Sequence, residues 1–481
     1  MELSNLIQAI GPLEIRGTAT GDVTSLTYDA ETVEPGALHF CVPGFRADGH
    51  DFAARAAERG AIALVVERWV EVELPQLRVA AARSAMGPAA DAFYGHPSHA
   101  LDVVGITGTN GKTTTAFLMY AILDAAGLRP GLLGTVESRI GGEVAPVKRT
   151  TPESIDLQAL FRAMLDAGDQ SCAMEVSSHA LELGRVAGTR FAAAGFTNLT
   201  QDHLDFHPTM EDYYAAKRRL FQAGEWPAAV NLADGYGRRL AREANGPVLT
   251  YAAHGDEAAV RPNALEIGAG GAISLIALTP RGLLPLDVRL RGDFNVENVL
   301  CAVALAELLE LPHEAVRAGV AAVHGVPGRF EPVDAGQPFT VLVDYAHTPD
   351  SLENVLTAAR RITGGSLIVV FGAGGDRDRG KRPLMGAVAR RLADRAIVTT
   401  DNSRSEDPAA IADEIAGGVD MEVELDRRAA IAMAVAAAQP GDVVVIAGKG
   451  HEQGQQLADR TLPFDDRVAT REALEQLESS A

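Results

Sequence analysis

Cysteine is scarce in this chain. There are three in 481 residues, Cys41, Cys172 and Cys301, far apart and without a CxxC pair. That excludes a disulfide framework and a cysteine-built structural zinc site, and it predicts buried, reduced thiols. Basic charge is also short. Lysine and arginine number 43 against 64 acidic residues, a formal charge of -21. Nucleic acids and anionic membrane surfaces both need a cationic excess, so neither is an expected partner. Long apolar runs are missing as well. No stretch reaches the ~20 residues that span a bilayer. The start "MELSNLIQAIGPLEIRG" lacks the basic opening and apolar core of a secretory leader. What remains is the expectation of a cytoplasmic, monomeric, globular enzyme. Its 47% apolar and 22% charged residues suit a packed core. Its length asks for about two to four domains.

The order of apolar runs points to an α/β fold. "LDVVGIT", "SCAMEVSS" and "FAAAGFTNLT" read as strands, as do "FTVLVDYAH", "SLIVVFGAGG", "RAIVTTDN" and "DVVVIAGKG" further on. Each ends in glycine or polar residues. Helical patterns separate them, among them "KTTTAFLMYAILDAAG", "PDSLENVLTAARRI" and "AIAMAVAAAQ". Such alternation predicts parallel sheets covered by helices, with ligands beyond the carboxyl ends of the strands. Three zones separate: 1–100, 101–332 and 333–481.

One strand end carries "GITGTNGKTTT". A strand, a glycine loop and a helix in that order form a phosphate site, because backbone N–H groups and the helix start converge on one anion. Gly108, Thr109, Asn110 and Gly111 make the loop. Lys112 can reach the β- and γ-phosphates, and the hydroxyl of Thr113 or Thr114 can ligate Mg²⁺. The usual spelling has its first glycine where this chain has Ile106. That departure speaks against a standard NTPase or kinase loop, but not against a nucleotide.

Other polar strand ends carry more chemistry. "AMEVSSHAL" places Glu175 in an apolar strand, where it needs a partner, and a hard cation accompanying ATP would serve. "TNLTQDHLDFH" gathers Asn198, Asp202, His203, Asp205 and His207, either as ligands or as ordinary polar loop residues. Hydrolytic zinc spacing of the HExxH kind is absent. "EDYYAAKRRLF" is an amphipathic helix, and read alone its Lys217, Arg218 and Arg219 form a solvated basic face. "FGAGGDRDRGKRP" offers Arg377, Arg379, Lys381 and Arg382 either to an anionic ligand or to solvent. It is not a dinucleotide fingerprint, because Arg377 stands where the third glycine belongs.

Taken together, these segments resemble the Mur ligases, the ATP-dependent amide-forming enzymes of peptidoglycan precursor synthesis. The resemblance spans essentially the whole chain and includes "TTPES", "GDFNVENV", "VPGRFE", "DNSRSEDP" and "AGKGHE". It accounts for the off-pattern glycine loop, and its C-terminal blocks point to the branch that adds a diamino acid. It implies three domains: an N-terminal UDP-binding α/β domain, a central P-loop-type ATPase domain with a parallel sheet, and a C-terminal Rossmann-like domain. It also implies a reaction. ATP phosphorylates the γ-carboxylate of D-glutamate in UDP-N-acetylmuramoyl-L-alanyl-D-glutamate, and the amine of meso-2,6-diaminopimelate, or of L-lysine or L-ornithine, displaces the phosphate.

Roles carry over by position. Lys112 and Thr113 would serve ATP and a first Mg²⁺, and Glu175 and His203 would hold magnesium. Lys217 matches a lysine that is carbamylated in the family, which would orient a second Mg²⁺. Asn295, Arg329 and Asp344 match adenosine contacts. Thr150, Thr151, Ser177 and Arg185 match contacts to the UDP-muramoyl dipeptide. Arg377, Asp401, Asn402, Ser403, Arg404, Gly448 and Glu452 match the diamino-acid pocket. Ser403 replaces the family's proline, while Arg404 is kept and can grip a distal carboxylate that lysine and ornithine lack. Folylpolyglutamate synthase and a P-loop switch are rivals, but neither explains "DNSR" followed by "EDP".

Overall fold

Val443–Ala447 shows why the apolar runs become strands: all five side chains are buried, alternately against helices on opposite faces. A computed structural model describes the chain except residues 45, 46, 146, 148, 256, 269, 270 and 481, and the side chains of 478–480. By internal packing it divides into two compact units. One is Met1–Gly105 with Leu128–Ala193, and the other is Ile106–Gly127 with Ala194–Ala481.

The first unit holds a five-stranded sheet in the order Glu14–Arg16, Gln76–Arg78, Ala63–Val66, Ala37–Phe40, Ser25–Thr27. Its first pair is antiparallel and the rest are parallel. Leu38 and Phe40 pack on one face with Leu3, Leu6, Met86 and Ala89, while Ala37 and Cys41 pack on the other with Ala53 and Ala56. That is the two-residue period of a strand covered on both sides. The unit also contains Ser171–Glu175 paired in parallel with Pro130–Leu133.

The second unit starts with helix Lys112–Ala125. Strands Ala228–Asn231 and Val248–Tyr251 follow in parallel. An antiparallel trio, Arg261–Ile267, Ile273–Thr279 and Gly282–Val288, comes next. The six-stranded sheet runs Glu331–Pro332, Thr340–Asp344, Val443–Ala447, Leu367–Phe371, Arg395–Val398, Glu422–Val423, parallel except for its first pair. The seven strands and four helices read from the sequence are all present, within a few residues.

The fold is therefore α/β with parallel-rich sheets, as expected. The three cysteines are buried, and burial pushes the thiols of Cys41 and Cys301 up to about 12. Among the described residues, no helix is long and apolar enough to cross a membrane.

Candidate active site

The glycine loop leaves strand Asp102–Thr107 and enters helix Lys112–Ala125 through Gly111, whose φ is +86°. At Gly108 φ is +148°, and a Cβ there would sit 1.8 Å from Thr197 Oγ1. Only glycine fits that combination. Thr109 N–H donates to Asn198 O and Asn110 N–H to Asn198 Oδ1, both at 2.9 Å. Thr197 Oγ1 donates to Asn110 O at 2.6 Å. So "TN" at 197–198 fixes the loop from below, a role the sequence did not reveal. Lys112 Nζ lies back over the loop, donating to Gly108 O at 3.0 Å and Thr109 O at 2.7 Å. The first-turn N–H groups of the helix add positive potential at the same place.

Lys217 is not on a solvated face. Helix Met210–Gln222 buries Tyr213, Tyr214, Ala216, Leu220 and Phe221, and Lys217 lies among them, 1% exposed. Its Nζ donates to Gly108 O at 2.7 Å and stands 4.6 Å above the Tyr213 ring. Burial holds this amine well below the usual lysine range. Lys112 pushes the same way and Asp202 opposes. The charged form is disfavoured because little replaces its lost hydration. The basic-surface reading thus fails for Lys217.

Asp202 is the anionic centre nearby. His203 Nε2 lies 3.3 Å from its Oδ2, His347 Nε2 3.7 Å from the same oxygen, and Lys381 Nζ 3.7 Å from Oδ1. Burial alone would raise this carboxyl, but His203, His347 and Lys381 outweigh it and hold it well below the carboxylate range. His203 is backbone-strained at φ +55° and packs edge-on to Tyr213. Asn110 Nδ2 donates to Asp350 Oδ2 at 2.6 Å, which ties the glycine loop to helix Pro349–Ile362.

Two of the three adenosine candidates line one cavity. Asn295 and Arg329 border a space of about 240 Å³ together with Arg289, Arg291, His324 and Phe330. Asn295 is set by bonds to Arg291 O at 2.7 Å and from Asn298 at 2.8 Å. Arg329 lies 4.4 Å over the Tyr345 ring and donates to Thr113 Oγ1 at 3.2 Å. Asp344 supports the wall from behind, accepting from Phe330 N–H at 2.6 Å and Ala346 N–H at 2.7 Å. Burial raises its carboxyl, against Arg329.

The diamino-acid candidates meet at the carboxyl ends of the six-stranded sheet. Asn402 Nδ2 donates to Glu452 Oε2 at 2.8 Å. Lys449, fully buried, donates to Asn402 Oδ1 at 2.9 Å and Glu452 Oε2 at 3.1 Å, and stands 3.6 Å from Asp401. Sequence reading gave Lys449 no role. Gly448 has φ +119°, and a Cβ there would come 2.8 Å from Asp401 Oδ2. Arg404, at φ +50°, donates through Nη1 to Gly375 O at 2.6 Å and through Nε to Gln456 Oε1 at 3.1 Å. Burial, with Arg377 nearby, lowers the basicity of Arg404.

The four cations of the neighbouring loop do not act as one set. Arg382 is wholly buried, paired with Glu406 at 2.8 Å and Glu414 at 2.7 Å, and Arg379 also pairs with Glu414. Lys381 turns to Asp202, and Arg377 stays exposed.

In the first unit, Glu175 is 1% exposed and accepts from Thr135 N–H at 2.7 Å and Thr135 Oγ1 at 3.1 Å. Thr135 Oγ1 and Thr150 Oγ1 share a hydrogen bond of 3.1 Å. Thr151 Oγ1 donates to Glu175 O at 2.9 Å and accepts from Ser177 N–H at 3.1 Å. Arg185 donates to Thr151 O at 3.3 Å and Glu153 Oε1 at 3.0 Å. Glu153, 3% exposed, also receives Arg83 at 2.6 Å and Arg149 at 3.0 Å. All four dipeptide candidates therefore share one network, in which Glu153 and Thr135 went unassigned.

Comparison with known proteins gives three matches in chain order. They are "Mur ligase family, catalytic domain" over residues 22–95, "Mur ligase middle domain" over 106–306, and "Mur ligase, glutamate ligase domain" over 328–450. A UDP-N-acetylmuramoyl-L-alanyl-D-glutamate–2,6-diaminopimelate ligase from Bacillus licheniformis is 45% identical over 472 residues, 95% of this chain and 96% of that one. Its namesake from Streptomyces coelicolor is 47% identical over 489 residues, covering 98% and 96%. A solved structure bearing the same enzyme name is 32% identical with a TM-score of 0.69, covering 98% of this chain and 99% of that chain.

Proposed function

The chain belongs to the Mur ligase family, and we propose that it joins meso-2,6-diaminopimelate to the D-glutamate γ-carboxylate of UDP-N-acetylmuramoyl-L-alanyl-D-glutamate. It is an ATP-dependent ligase of peptidoglycan precursor synthesis. The observation that carries the choice of amine is Arg404, anchored at the carboxyl end of the six-stranded sheet beside Asn402 and Gly375. Its Nε and Nη1 are held, which orients Nη2 for the distal carboxylate that only diaminopimelate has.

A carboxylate is a poor electrophile. Its oxygen therefore attacks the γ-phosphorus of ATP, ADP leaves, and an acyl phosphate forms. The amine then attacks the acyl carbon, and the tetrahedral intermediate collapses with loss of phosphate and a proton. Lys112 moves from its loop carbonyls to the phosphates, where it offsets developing charge. Asn295, Arg329 and Asp344 hold adenosine. Thr150, Thr151, Ser177 and Arg185 hold the UDP-muramoyl dipeptide. Arg377, Asp401, Ser403, Gly448 and Glu452 complete the diamino-acid pocket with Asn402 and Arg404.

Thr113, Glu175 and His203 are the residues that would hold magnesium, the hydroxyl of Thr113 and the carboxylate of Glu175 being the hard oxygens it prefers. When bound, it neutralises charge on the β- and γ-phosphates. Lys217 is suited to carbamylation by its burial and weakened basicity. A neutral amine can form the C–N bond to CO₂ and release a proton, and the resulting anion would serve a second magnesium. We divide the chain into three domains, 1–100, 101–332 and 333–481; the separate sheets within residues 14–78 and 331–447 support an N-terminal and a C-terminal domain. We place the enzyme in the cytoplasm, where its nucleotide substrates are, as a monomer.

A phosphate-release assay with ATP and UDP-N-acetylmuramoyl-L-alanyl-D-glutamate tests this. Meso-diaminopimelate should stimulate release well above L-lysine or L-ornithine. If none of the three stimulates, the ligase assignment fails, and a preference for lysine or ornithine sinks the role of Arg404.

A further inference from the structure

The ligase reaction leaves unused a cluster at the end of helix Ala82–Phe93. Asp91 sits in the last turn of that helix. The chain then reverses through Gly95 and His96, both left-handed at φ +75° and +54°. His96 N–H donates to Asp91 O at 2.8 Å, and Pro97 opens the short turn Pro97–His99. The reversal puts one ligand atom each of Asp91, His96 and His99 within 4.8 Å of one another. His96 Nδ1 is 2.7 Å from Asp91 Oδ2, and the two imidazole centroids are 5.6 Å apart.

Two features ask for a ligand. Asp91 Oδ1 is buried without a hydrogen-bond partner, which is unfavourable for a carboxylate oxygen. The left-handed backbone at His96 is uncommon outside glycine, yet it turns the imidazole over that carboxylate. Two imidazoles and a carboxylate form a donor set that zinc-class ions prefer and that magnesium, with its preference for oxygen, does not. Donors about 2.0–2.2 Å from a tetrahedral zinc lie roughly 3.4 Å apart, so a closure of about 1.5 Å assembles the site. Side-chain rotation supplies this, since His96 is 57% exposed and His99 is exposed too.

We propose that Asp91, His96 and His99 form a surface site for a zinc-class divalent cation, with water completing the coordination. Bound there, the ion would clip the helix end to the turn that feeds strand Asp102–Thr107. The site uses no residue assigned to the ligase reaction.

The test is titration of the full chain with Zn²⁺ by calorimetry in excess Mg²⁺, and with Co²⁺ by visible absorption. Wild type should bind one ion that His99→Asn and Asp91→Asn bind at least about tenfold more weakly, given the loss of one of three ligands. His254→Asn, an exposed histidine elsewhere, should match wild type. Zn²⁺ should raise the Tm of wild type more than that of His99→Asn, and the intense tetrahedral Co²⁺ bands should vanish in that variant. Unchanged affinity in both His99→Asn and Asp91→Asn would overturn the site. So would a wild type that takes up no ion below millimolar Zn²⁺. The metal-free Tm of each variant shows whether it is folded.

Discussion

Replacing Arg404 with glutamine should separate the proposed recognition of the diamino acid from the chemistry common to all acceptors. Arg404 is half-buried, and its plane is held by Gly375 O at 2.6 Å and Gln456 Oε1 at 3.1 Å. Glutamine keeps an unbranched, polar side chain, shorter than arginine, but removes the charge and the fork. A charge-assisted hydrogen bond to a carboxylate contributes about 1.5–3 kcal/mol. At ~1.4 kcal/mol per factor of ten, kcat/KM for meso-diaminopimelate should fall roughly 10- to 150-fold. Arg377 remains nearby and keeps part of the attraction, which caps the loss. L-Lysine has no distal carboxylate, so its kcat/KM should change by less than about threefold. Coupled phosphate-release kinetics with both amines, at saturating ATP and UDP-muramoyl dipeptide, measure the contrast. An equal loss for lysine and diaminopimelate would refute the reasoning, because Arg404 would then act on loop structure alone.

Four further outcomes follow from the same geometry. Lys217→Ala should abolish ligase turnover, and a small added carboxylate such as acetate should restore part of it; no recovery counts against the carbamate. Gly108→Ala should weaken ATP binding at least about tenfold, because its Cβ would need the space of Thr197 Oγ1 at 1.8 Å; near-normal ATP affinity by calorimetry would remove the steric argument. At Asp202, burial is outweighed by His203, His347 and Lys381, so the folded carboxyl titrates below its unfolded value of about 3.9. Its stabilisation is complete above that pH and is lost as pH falls through the folded value. Asp202→Asn should therefore lower the urea midpoint at pH 7, with the gap to wild type narrowing in acid, and a gap that stays constant with pH argues against the ion cluster. Arg427→Leu leaves Asp466 buried and unpaired where both partners were 0% exposed, at a cost of about 3–5 kcal/mol in urea unfolding; under 1 kcal/mol would contradict it.

What the sequence revealed, and what it hid, divides by distance along the chain. The geometry of the glycine loop was legible because it lies in adjacent residues: Gly108, Gly111 and Lys112 sit on one strand-to-helix turn. The strands were legible because residues such as 443–447 are apolar on both faces. Arg382 was not legible. Read alone it is one of four cations in a row, and the carboxylates that neutralise it, Glu406 and Glu414, lie 24 and 32 residues away. Glu153 was hidden in the same way, since its partners Arg83 and Arg185 lie 70 and 32 residues from it. Lys217 falls between these cases. Its neighbours Arg218 and Arg219 make the helix look basic and solvated. Yet Tyr213, Lys217 and Phe221 are spaced i, i+4 and i+8, which places the lysine on the buried stripe. The helical period already separated it from the two arginines, and a lone lysine on an apolar stripe must either lose its charge or find a partner. Burial beside Gly108 O does both in part: it weakens the amine's basicity and gives it one carbonyl acceptor.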